Sequence, residues 1–179
     1  MIKIPFFQQK TSYTCGPASM KMVFDFLGLK VSEKELKKSL KSNKEIGTKH
    51  KYLIKTATKN GFYCYVHKNA TINQIKDFLD DGLPVVVHYI EPSSDEEHYS
   101  VVVEIKGRKI IMNDPWNGKR FKLSEKDFIE RWHGKTRRGW LMVLSKKKFD
   151  FGKQYNPKPT SHNGSARDSN NKKNLRFSL

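Results

Sequence analysis

The sequence predicts an α+β fold in which N-terminal helices pack on a C-terminal antiparallel sheet, and three observations predict it. Up to residue 82, apolar residues recur at three- and four-residue spacing. From Pro84 onward, β-branched runs replace that pattern. Turn residues sit at the boundaries: Gly28, Asn60-Gly61, Gly82 and Lys106-Gly107-Arg108. With 179 residues, 36% of them hydrophobic, the chain is long enough for one core and not comfortably for two.

Residues 17–27 read as a helix, because Met20, Val23, Phe24 and Leu27 share a face and Gly28 ends it. Ser32 followed by Glu35 is a capping-box signature that opens a short helix with Leu36 and Leu40 inward. A third helix is expected over 48–59, stopped by Asn60-Gly61. Thr71 caps a fourth, whose Ile72, Ile75, Phe78 and Leu79 face one way before Gly82. The run PVVVHYI at 84–90 has no polar alternation, as in a strand covered on both faces. Residues 99–105 and 109–113 then form a hairpin, 124–132 a short helix and 140–144 a last strand. There is no internal repeat. After Ser145 the chain is almost devoid of apolar residues until its last five, so 1–145 reads as the folded domain. Residues 146–179 read as a disordered basic tail, too polar to offset the entropy of ordering.

The formal net charge is +17, and the segment 146–179 accounts for less than half of it, with nine Lys/Arg against two Asp/Glu. Such a charge suits nucleic acid, an anionic surface or an acidic partner, and equally a solvated lysine face. No apolar run approaches the ~20 residues a membrane helix needs, and the N-terminus lacks a secretory signal. A cytoplasmic location is expected. The two cysteines, Cys15 and Cys64, exclude a disulfide framework and a cysteine-only zinc site.

Cys15 stands directly before Gly16-Pro17, at the mouth of the first expected helix. Proline is tolerated in the first helical turn, where its missing N–H would have had no partner. Unpaired backbone N–H groups and the positive end of the helix dipole converge there and favour a thiolate. Gly16 removes side-chain bulk beside the sulfur. Cys64, inside FYCYV, reads as a buried small hydrophobe.

A thiol nucleophile needs a base, and the base an orienting group. Of six histidines, His162 lies in the tail, His50 and His67 in lysine-rich surface-like segments, and His133 after a helix end. His88 falls inside the buried strand and reads as a core residue. His98 differs: pairing outward from the turn at Lys106-Gly107 brings it opposite residues 114–116, beside Asp114. A carboxylate there can accept the imidazole Nδ1–H and turn the other nitrogen toward the thiol. The Cys15 backbone N–H supplies one oxyanion donor, and the side-chain amide of Gln8 or Gln9 can supply a second. Trp116 can line the cleft or pack in the core.

Gln9, Cys15-Gly16-Pro17-Ala18 opening a helix, His98-Tyr99 leading a β-branched strand, and Asp114-Pro115 together resemble the double-glycine leader peptidases, over about residues 4–145. These are bacteriocin-processing cysteine peptidases of papain-like fold. The resemblance implies that Cys15 attacks the carbonyl after a Gly-Gly pair through a thioester. It also implies that His98 is the general base, Asp114 orients it and Gln9, rather than Gln8, serves the oxyanion hole. It implies no metal or organic cofactor and a peptide or protein substrate. Thr14 stands where many members carry an acidic residue. The membrane helices and ATPase that follow the domain in exporters do not follow in this sequence, which reads as a stand-alone member.

Two other activities fit the same residues. One keeps the site and changes the reaction to amide or isopeptide hydrolysis, or to peptidyl transfer. The other is a basic protein that binds nucleic acid or an acidic partner through its lysine faces and tail, with salt-sensitive affinity independent of Cys15.

Overall fold

In the computed structural model, which describes residues 2–134 and 138–158, the β-branched run becomes strand β2 (Val85–Ile90), and its side chains part to two separate cores. Val86 points into one, with Val101, Val103 and Met142. Val85 and Val87 point into the other, with Val102, Met112 and Val143. A strand buried on both faces needs no polar alternation, which is why this segment reads as a continuous apolar run.

The other strands are β1 (Tyr63–His67), β3 (Glu97–Lys106), β4 (Lys109–Asp114), β5 (Gly118–Ser124), β6 (Leu141–Ser145) and β7 (Gln154–Tyr155). They form one sheet in the order β5-β4-β3-β2-β6-β1-β7, and every pairing is antiparallel. Helices α1 (Cys15–Phe26), α2 (Glu33–Ser39) and α3 (His50–Lys59) contribute Met20, Val23, Phe24, Leu36 and Leu53 to the first core. Helices α4 (Ile72–Asp80) and α5 (Glu125–His133) contribute Ile75, Phe78, Phe128 and Trp132 to the second. The α+β class is as expected. Helices cover both faces of the sheet, however, and β1 enters it from the N-terminal half, between β6 and β7.

Local chemistry sets the helix ends. Ser32 Oγ accepts from Glu35 N at 3.2 Å while Glu35 Oε2 accepts from Ser32 N at 2.9 Å, and Thr71 and Gln74 repeat the box on α4. After α1, Gly28 adopts φ +86° and Leu29 N returns to Phe24 O at 2.8 Å, a left-handed stop that favours glycine. Among the described residues, no helix is long and apolar enough to cross a membrane.

The expected boundary at residue 145 is corrected by the structure. Phe149 is buried against Tyr65, Phe78 and Phe151, β7 pairs with β1, and Lys158 N donates to Thr58 O at 2.9 Å. Two aromatic residues, Phe149 and Phe151, packed on Tyr65 and Phe78, anchor a lysine-rich segment, and averaging over a long polar stretch hides them. Residues 159–179 of the expected tail lie outside the described residues. Phe149→Ala is expected to lower the unfolding free energy by about 3 kcal/mol in urea titration, the cost of deleting a buried aromatic. A loss within ±0.5 kcal/mol would mean the segment does not pack on the domain.

Candidate active site

Cys15 is the first residue of α1 and is almost fully buried, and Thr14 forms the N-cap without a side-chain cap bond. The helix therefore starts two residues earlier than its apolar periodicity suggests. Pro17 still lies in the first turn, where its missing N–H has no intrahelical partner to lose. One turn later, Ser19 Oγ donates to the carbonyl of Tyr99 at 3.1 Å, which clamps the start of α1 onto β3 beside His98.

Gly16 serves a different neighbour from the one expected. A Cβ at this position would lie 2.6 Å from Oγ1 and 2.8 Å from Cβ of Thr48, so the missing side chain makes room for the protein's own threonine. Thr48 Oγ1 is also hydrogen-bonded to Ser42 Oγ at 2.6 Å, so it cannot swing aside without breaking that bond. Gly16→Ala should cost about 1–3 kcal/mol by overpacking, read as a lower denaturation midpoint. A smaller loss from Gly16→Ala in a Thr48→Gly background, which removes the whole contacting side chain, would show that this contact is the cause; an unchanged loss would refute it.

His98 and Asp114 meet across the hairpin. Lys106 pairs with Lys109, and a bulge between Val102 and Glu104 moves the register by one, so that Val101 faces Asn113. Asp114 consequently lies opposite Ser100 and diagonally from His98, within side-chain reach. His98 Nε2 is 3.1 Å from Asp114 Oδ1, and both side chains are almost fully removed from solvent. The contact uses Nε2 rather than the expected Nδ1. Burial by itself would lower the affinity of His98 for a proton. Hydrogen bonds and charge from Asp114 and Cys15 outweigh it and hold the imidazole well above its usual range.

Asp114 is fully buried and accepts from Tyr89 Oη at 2.8 Å, Trp116 N at 3.0 Å, Asn117 N at 2.7 Å and Asn117 Nδ2 at 3.2 Å. Burial would raise its carboxyl; the His98 bond and charge, together with the Asn117 N–H and Tyr89, hold it below the usual range. Glu91 extends this network, accepting from Asn117 Nδ2 at 3.1 Å and from Ser93 and Ser94. Sequence reasoning missed Tyr89, Glu91 and Asn117. The first was within reach, since pairing 85–90 with 97–102 places Tyr89 opposite His98.

Gln9 and Gln8 differ in burial: Gln9 is buried and Gln8 exposed. The Gln9 backbone N–H donates to Pro115 O at 3.0 Å, which ties the segment before α1 to the Asp114 turn. Its Nε2 donates to Thr11 O at 2.8 Å, and its buried Oε1 has no hydrogen-bond partner among the described residues. A buried acceptor left without a partner costs about 1–3 kcal/mol.

A groove of about 640 Å³ opens beside Cys15, lined on its other sides by Thr48, His88, Glu97 and Tyr99. Ile46, 49% exposed, projects at its edge. Trp116 is 48% exposed, so it is not a core aromatic, and it does not line this groove. His88 and His50 depart from expectation. His88 contributes to the groove wall, lies 3.8 Å from Glu97, and its Nδ1 is 3.1 Å from Nε2 of His50. His50 stacks on Trp140 at 4.0 Å and is no surface residue; burial, then the neighbouring His88 and Lys68, push it down to about 3. No group of three or more metal-ligating side chains occurs among the described residues.

A sequence model of the peptidase C39 family matches residues 3–138. A protein of Methanothermobacter marburgensis is 32% identical over 112 residues, 63% of this chain and 72% of that one. The peptidase domain of Streptococcus ComA, a bifunctional ABC transporter of a quorum-sensing pathway, superposes with a TM-score of 0.67 at 26% identity, covering 82% of this chain and all of that domain. A C39-like peptidase from Bacillus anthracis superposes with a TM-score of 0.69 at 16% identity, over 82% and 96% of the two chains. A double-glycine-motif protease of an AMS/PCAT transporter, solved with its leader peptide, gives 0.64 at 20% identity, over 79% and 91%.

Proposed function

The chain belongs to the peptidase C39 family and is a cysteine peptidase, and on that footing we propose that Cys15, His98, Asp114 and Gln9 cut a peptide bond through a thioester. The observation that carries this reading is the buried His98–Asp114 pair at 3.1 Å, set against a cysteine at a helix N-terminus. The Cys15 sulfur, as thiolate, attacks the carbonyl carbon while protonated His98 stands ready. The oxygen becomes an oxyanion facing the Cys15 backbone N–H and the Gln9 amide. The C–N bond then breaks, His98 gives its proton to the leaving amine, and the acyl group stays on sulfur. Water, losing a proton to His98, hydrolyses the thioester and frees the acid. Asp114 stays ionised throughout and holds the ring by Nε2.

The C39 neighbour solved with a leader peptide supports a peptide substrate, and cleavage after Gly-Gly is the first specificity to examine. Glycines suit a nucleophile recessed behind Tyr13, Thr48 and Tyr99, since they bring no side chains into the groove. The peptidase domain then runs at least to Lys158. A series of peptides with Gly-Gly, Gly-Ala and Ala-Ala at one position, assayed by mass spectrometry, tests the specificity. Equal cleavage of all three would refute the Gly-Gly reading. Trapping on Cys15 by a Gly-Gly peptide aldehyde tests the nucleophile, and a hemithioacetal formed elsewhere would refute it.

A further inference from the structure

We infer that Thr14, the residue before the nucleophile, is a positioning residue that orients the Gln9 amide by way of Thr11; this rests on the oxyanion role proposed above for Gln9. As the N-cap of α1, Thr14 would ordinarily turn its hydroxyl forward to accept from an N–H of the first turn. It makes no such bond. The third position of the helix is Pro17, which has no N–H to offer, and the hydroxyl turns back instead. The Cys15 N–H is thereby left without a side-chain cap.

A hydroxyl has one proton to give and two lone pairs to receive with. All the bonding capacity of Thr14 Oγ1 goes to a single residue. It donates to Thr11 O at 3.2 Å, and it accepts from Thr11 N and from Thr11 Oγ1, each also at 3.2 Å. The Thr14 backbone N–H donates to the same Thr11 carbonyl at 3.2 Å. Thr14 is only 2% exposed, so water does not compete for these bonds.

The brace fixes the Thr11 carbonyl, and that carbonyl fixes the Gln9 amide. Gln9 Nε2 donates to Thr11 O at 2.8 Å, so the nitrogen end of the amide lies on the Thr11 side. A flipped amide would set Oε1, which can only accept, against the carbonyl oxygen with no proton between them. Oε1 itself does not make the choice, since it has no hydrogen-bond partner among the described residues. With one N–H held by Thr11 O, the second Nε2–H is the donor left for the oxyanion. A brace that served only the turn at 11–14 would leave this amide indifferent to the hydroxyl.

The test reads the amide and the chemistry separately. In proton–nitrogen correlation spectra of the full chain, the Gln9 Nε2H2 pair is assigned by its absence from Gln9→Ala. Its two protons should be spread more widely than those of exposed Gln8, which serves as the reference. Thr14→Val, which keeps the shape and removes the hydroxyl, should bring the Gln9 pair toward the Gln8 values. Thr14→Ser, which keeps the hydroxyl, should not. Thr14→Ala, which adds no bulk, should act as valine does, and circular dichroism checks that each variant folds.

On a cleaved peptide, Thr14→Val should lower kcat about tenfold with KM unchanged, less than the loss of a whole oxyanion donor, and Thr14→Ser should recover most of it. In a Gln9→Ala background the same substitution should cost no more than about twofold, because the group it positions is gone. A Gln9 pair unmoved by Thr14→Val, or an equal loss of kcat in the two backgrounds, overturns the inference. Wild-type kcat in Gln9→Ala would instead remove the oxyanion role of Gln9, while the spectra still decide whether Thr14 orients the amide.

Discussion

Cys15→Ala is expected to leave a folded chain whose peptidase activity is down about 10⁴-fold or more, the scale seen when a nucleophile is removed from a unit acting in concert. The fold survives because alanine is a good helix former and the clamp on α1 comes from Ser19 Oγ to Tyr99 O, which the substitution leaves in place. Alkylation provides a direct companion measurement. Iodoacetamide near pH 6 should modify Cys15, which lines the groove, ahead of Cys64. Cys64 should stay unmodified: it is fully buried in β1, and burial pushes its thiol up to about 12. Activity that persists in Cys15→Ala, or label that appears first on Cys64, would remove the nucleophile assignment.

Asp114→Ala should cost both stability and activity, because the carboxylate anchors more than the base. Deleting it strands Tyr89 Oη, the Asn117 N–H and His98 Nε2 in a buried site, a loss of about 3–5 kcal/mol for one partner of a buried charged pair. The free imidazole is then held by nothing at Nε2, and activity should fall about 10³-fold or more. Asp114→Asn keeps the shape and can still accept from Nε2–H, so its loss should be smaller in both measures. Wild-type activity in Asp114→Ala would show that His98 is oriented by something else.

The same pair sets a pH window for stability. The Asp114 carboxyl is depressed in the folded state, so its contribution is present above the unfolded value of about 3.9 and is lost as pH falls through the folded value. His98 is raised, so its contribution is complete below about 6.5 and is lost as pH rises through its higher folded value. Thermal midpoints of wild type and Asp114→Asn should therefore differ most between those limits and converge at both extremes. A difference independent of pH would show that charge in the pair contributes nothing.

Much of this site can be read along the chain because it rests on local rules. Cys15-Gly16-Pro17 is a helix start whatever packs against it, and a tight turn at 107 commits 98 and 114 to the same end of a hairpin. The misreadings fall where two distant segments share space. Thr48 fills the gap at Gly16, and Trp140 stacks on His50 and makes a surface-looking histidine a half-buried one. Strand β5 escaped notice because only Phe121 and Leu123 interrupt its lysines, as at a polar sheet edge.

By itself, the sequence determined the α+β class, a helix opening within two residues of Cys15, and the pairing of His98 with Asp114. Each of these depends on propensity, capping or turn length over a few neighbouring residues. The tertiary structure alone decided that Asp114 takes Nε2 rather than Nδ1 of His98, and that Gln9 is buried while Gln8 is not. These are outcomes of how helices settle on a sheet, where the orientation of a ring or an amide is chosen by hydrogen-bond partners far away in the chain.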